Sequence, residues 1–265
     1  MTATAVGVMN LVLGTVYTCY GLMTVVDLKR GWRRHGFSHF GMAWLAMAFT
    51  CGPHHLDHGL HVILSGRAGG WLDLVTIAAA FPVGVLWFLL RVEALFGGRG
   101  DRAIGGTPVW LEAFPTFAAG YLAVVVASTV WILHGVDRFL PRTWPNVFLV
   151  LLYSAIGLLL IRTQLRNHAV TDEWSVSGLS LGLVMFSCAV MHAVFIAYAS
   201  AGRYDLDIHG LTIDTVGVPA AAYFLWVTWM LYRGWLRDWN EARDEAAEPV
   251  TGTRAPSREL VGAGR

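Results

Sequence analysis

Charge is scarce in this chain: Asp, Glu, Lys and Arg supply 14% of its 265 residues, whereas 55% are hydrophobic and the mean hydropathy is +0.53. That balance excludes a soluble domain of this size and points to an integral membrane protein. Cysteine is scarce too. Cys19, Cys51 and Cys188 all lie in apolar stretches, which excludes an extracellular disulfide framework and leaves them as small core residues or soft metal ligands. No Lys or Arg precedes the first apolar run, and that run is longer than a signal-peptide core, so it is expected to stay as a span. A net charge of +1, with no basic patch interleaved with aromatics, gives no reason to expect nucleic acid. Also missing are a phosphate loop, a Gly-x-Ser-x-Gly turn and paired Cys-x-x-Cys motifs.

What the chain has is long apolar runs. Seven approach the 20 or so residues that cross a bilayer, at 4–26, 41–64, 71–90, 112–134, 145–162, 177–200 and 213–236. The expected fold class is therefore all-α, a polytopic bundle of seven transmembrane helices over residues 1–239. Residues 240–265, rich in Glu, Arg, Ala, Gly and Pro, read as a disordered cytoplasmic tail. Lys29, Arg30, Arg33 and Arg34 fall between the first two spans, Arg91, Arg99 and Arg102 after the third, and Arg162 and Arg166 after the fifth. With the arginines of the C-terminal segment these share one side, and only Arg67, Arg138, Arg142 and Arg203 fall opposite. The positive-inside rule then places the N-terminus out, the C-terminus in and the protein in the inner (plasma) membrane.

The second run reads Cys51-Gly52-Pro53-His54-His55-Leu56-Asp57-His58-Gly59-Leu60-His61. On a helix turning about 100° per residue, His54, His58 and His61 share a face, with Asp57 at its edge. Ionisable groups in a bilayer are costly and mark functional sites, and imidazole is the commonest metal ligand. Pro53 removes the backbone bond to the Phe49 carbonyl and is placed to turn the histidines inward. The second, fourth and sixth spans run outward, so His134 and His192 arrive at a similar depth. Asp73 and Asp214 open the third and seventh spans from the same side.

These observations lead to an expected transition-metal site in the extracytoplasmic half of the bundle. His54, His58, His61, His134 and His192 are its candidate ligands, and Asp57 and Asp214 its candidate catalytic carboxylates. Thiol and thioether groups nearby put copper first, with iron or zinc next; a b-type haem between two histidines stays open. The expected function is a copper- or iron-dependent oxidoreductase acting on a lipid-soluble or small apolar substrate. The alternative is transport or delivery of copper or of nickel and cobalt. His54-x-x-Asp57-His58 resembles a fragment of the His/Asp signature of nickel and cobalt permeases, a stretch too short to assign a family. The bilayer is the expected partner, and a homo-oligomer or larger membrane complex stays open.

Overall fold

A computed structural model gives the architecture and describes residues 2–106, 109–134, 141–204 and 208–239. Seven α-helices follow in order: α1 (Thr2–His35), α2 (His39–Ser65), α3 (Trp71–Leu95), α4 (Val109–His134), α5 (Trp144–Thr171), α6 (Val176–Ser200) and α7 (Ile208–Tyr232). In α1, α3, α5, α6 and α7 the helix, or in α7 its stretch from Gly210, is long and apolar enough to cross a membrane. The histidine-rich α2 is not in that set. Leu22, Leu60, Leu64, Leu89, Leu151 and Leu158 all point outward. Side chains of this kind on a soluble monomer rarely form large patches, but lipid accommodates them.

The expected ends of the first and fifth runs, at 26 and 162, fall short of the helix ends. The basic residues after the first and fifth runs lie on helix, not in loops, because α1 continues to His35 and α5 to Thr171. Hydropathy marks where a helix leaves the apolar layer, not where its backbone bonds end. Arg91 is likewise helical, forms an ion pair with Asp27 of α1 and lies 5.8 Å over the Tyr20 ring. The proposed tail, residues 240–265, lies outside the described residues.

α1 and α2 form the most extensive helix pair, and glycine is the reason they approach so closely. A Cβ at Gly52 would lie 2.4 Å from Thr18 Oγ1 and 2.9 Å from the Thr18 nitrogen; one at Gly14 would lie 2.8 Å from the Gly52 oxygen. Small residues at such a crossing replace side-chain spacing with direct backbone contact. The pairing continues at Gly59, where a Cβ would meet the Gly7 oxygen at 2.8 Å. Asn10 is thereby held against the histidines of α2. On α6, Gly178 and Gly182 instead make room for side chains of α5, Gln164 and Ile161.

α6 is the central helix, with 61% of its apolar window buried against 28% for α7. It packs on α5 and α3, while α2 packs on α1 and α7, so α2 and α6 face each other inside the bundle. The end of the bundle away from His54 and His192 is tied by a short antiparallel sheet of β1 (Ala103–Gly105) and β2 (Glu173–Ser175). There Asp101 accepts from the Ser175 hydroxyl (2.6 Å) and the Ser177 backbone nitrogen (2.8 Å), fixing the start of α6.

Candidate metal centre

α2 passes unbroken through Pro53 and presents Cys51, His54, His55 and His58 to a cavity of about 30 Å³. α6 faces it with Cys188 and His192, while α1 supplies Asn10 and α3 supplies Asp73. Against the edge of this cavity three ligand atoms converge, one each from His54, His192 and Asp214, all within 4.8 Å of one another. Three helices, α2, α6 and α7, therefore meet at one point through ligand-type side chains.

Asn146 of α5 organises the group. It is 1% exposed, and its Nδ2 donates to Asp214 Oδ2 at 2.7 Å. A carboxylate only accepts, so this bond fixes the amide orientation and turns Oδ1 toward His192 Nδ1, 2.5 Å away. An amide oxygen cannot donate, so Nδ1 carries the proton and Nε2 keeps its lone pair. This is the second-sphere arrangement that fixes tautomer and ring orientation in metal-bound histidines. His54 Nδ1 lies 2.8 Å from Asp214 Oδ1, shut off from solvent and without the alignment of a hydrogen bond. The two atoms lie at ion-pair distance.

Asp214 is 3% exposed, and a buried carboxylate costs several kcal/mol unless a positive charge answers it. Asn146 supplies a dipole but no charge. A cation between His54, His192 and Asp214, or a proton on His54, would supply the charge. The donor set suits a cation: one carboxylate and two imidazoles, each with a ligand-type atom within 4.8 Å of the others.

The same logic recurs on the opposite wall. Asn10 Nδ2 donates to the Val6 carbonyl (2.9 Å), which turns its Oδ1 to His55 Nδ1 (2.8 Å) and leaves His55 Nε2 unprotonated. His58 stacks on His54 with ring centroids 6.3 Å apart and 9° between planes, and meets Tyr204 edge-on at 5.0 Å. Tyr204 also helps close this end, since its hydroxyl accepts from the Gly69 nitrogen at 2.8 Å. Gly69 itself has no room for a side chain, because a Cβ there would lie 2.1 Å from the Tyr198 ring.

His54, His192 and Asp214 are thus brought together, with His58 beside them. His61 and Asp57 are half-buried on α2 and outside the cavity lining, and His134 is exposed at the end of α4. The side chain of His209 lies outside the described residues. Sequence reasoning missed Asn10, Asn146 and His55. An asparagine inside an apolar run was the available signal, since such a residue seeks a partner on a neighbouring helix. Comparison with protein-family models, with curated proteins and with solved structures finds no match to this chain.

Proposed function

We propose that the chain is a seven-span membrane protein, N-terminus out and C-terminus in. Its function is carried by one transition-metal ion held by His54, His192 and Asp214 in the extracytoplasmic half. The observation behind this is the Asn146 bridge, which fixes His192 and Asp214 in the orientation that metal ligands need. Two imidazoles and a carboxylate favour iron(II) or zinc and move copper from first place, since no thiol belongs to the converging group.

The reaction we favour is redox chemistry on a small molecule. A bound iron ion supplies electron exchange, and the chain positions its ligands and limits access. A cavity of about 30 Å³ holds an ion and a water or a substrate of a few atoms, while organic ligands need several hundred. That volume favours a substrate of a few atoms over a lipid-soluble molecule or a porphyrin.

Metal delivery without turnover is the second reading. Tyr17, Met47 and Met185, each at most 2% exposed, fill the core beyond the cavity, which speaks against a permeation path. Elemental analysis of protein purified from its own membrane, followed by anaerobic and aerobic spectra, separates the readings. Stoichiometric iron that changes spectrum with dioxygen supports the enzyme. Redox-silent metal that exchanges freely with chelators supports delivery, and protein that neither retains metal nor takes up added iron, zinc or copper overturns both.

A further inference from the structure

The two buried cysteines stand apart from the His/Asp group in a pattern of their own. Cys51 lies three residues before His54 on α2 and Cys188 four before His192 on α6, so each thiol is one helical turn deeper than its histidine. The thiols are 8% and 3% exposed and belong to the same cavity lining. Tyr153 of α5 brings its hydroxyl to 3.3 Å from Cys51 Sγ. The third cysteine, Cys19, takes no part in the cavity.

We infer that Cys51 and Cys188 form a second, soft metal site: a two-thiolate clamp for one monovalent d10 ion of the copper(I) class, separate from the His54/His192/Asp214 site. Three features support it. Sulfur pairs select soft ions over the harder ones that the site above suits. Both thiols line one cavity of about 30 Å³ from two different helices, so an ion placed there has a sulfur donor from each. The Tyr153 hydroxyl can donate to a Cys51 thiolate, supplying one hydrogen bond to the charge that forms. Binding is a proton exchange: the ion forms two metal–sulfur bonds, both thiol protons leave, and no electron moves.

The clamp does not depend on the upper site being a metal site, and two probe ions keep the two apart. Silver(I) is titrated into reduced full-length protein in detergent against a competing chelator, and zinc(II) is titrated separately. The wild-type chain is expected to take up one silver ion tightly. Cys51→Ser and Cys188→Ser should each weaken silver binding on the order of a hundredfold and leave zinc unchanged. Cys19→Ser should alter neither. His192→Ala should lower zinc affinity and spare silver, and loss of the zinc response alone would count only against the upper site.

X-ray absorption on copper(I)-loaded wild-type protein guards against variants that fail to fold, and a shell of two sulfurs is expected. Silver affinity unchanged in the double Cys51→Ser/Cys188→Ser variant would overturn the clamp. So would a copper shell dominated by nitrogen or oxygen. A thiol count of one in the unreduced, denatured protein would show that the pair is a disulfide and would overturn it equally.

Discussion

His192 Nδ1 and Asn146 Oδ1 lie 2.5 Å apart in the core, a contact whose direction is set by the bond Asn146 makes on its other side to Asp214. One amide thereby fixes a tautomer on α6 and anchors a carboxylate on α7. Asn146→Ala should lower zinc affinity about 10- to 100-fold, as loss of a second-sphere partner does. It should also cost about 1–3 kcal/mol of stability, because Asp214 and His192 both lose a buried partner. Zinc titration and thermal unfolding check the two effects separately.

Asp214→Asn keeps the shape of the side chain and removes its charge. Metal that binds the folded state stabilises it by mass action, so the wild-type protein should gain thermal stability on adding zinc or iron(II). The Asn variant should lose most of that gain while unfolding at a similar temperature without metal. An equal shift in both proteins would show that the metal sits elsewhere.

Metal and protons compete for the same lone pairs. Imidazoles ligate only when unprotonated, so zinc affinity should fall as pH is lowered and should not rise again on the acid side. A titration across the neutral to mildly acidic range checks the sign.

The glycine seam between α1 and α2 makes a purely structural prediction. Gly52→Ala pushes a methyl group toward the Thr18 backbone, which cannot rotate away, and should destabilise by about 1–3 kcal/mol. It should also loosen the Asn10–His55 contact that the seam holds. Gly120→Ala, with nothing within 4 Å among the described residues, should leave stability unchanged or slightly raised. The comparison is made by thermal unfolding in one detergent.

Much of this architecture was legible because a long apolar run with few charges favours a helix, and five of the helices are long and apolar enough to cross a membrane. Every expected run contains a helix, and the misjudged boundaries, as at Lys29 or Arg166, lie where a helix continues into polar surroundings. His54 and His192 were legible as ligand types expected at one depth, and Asp214 as a carboxylate on the same side, expected in a catalytic role and not as a ligand. Their company was not, because depth does not fix rotation about a helix axis. His134 and His192 share a depth, yet one is exposed and the other 7% exposed in the core. His55 lies about 100° around α2 from His54, off the face that periodicity selects, and is buried because Asn10 waits on α1. Such a pairing is a property of the α1–α2 crossing and cannot be read from either helix alone.

The central claim is that His54, His192 and Asp214 together hold one metal ion, and its most direct test is a zinc(II) titration of wild-type protein beside His54→Ala, His192→Ala and Asp214→Ala. One tight ion per wild-type chain is expected, with a loss of at least tenfold in affinity in each variant and helical content retained. Unchanged zinc affinity in all three folded variants would contradict it.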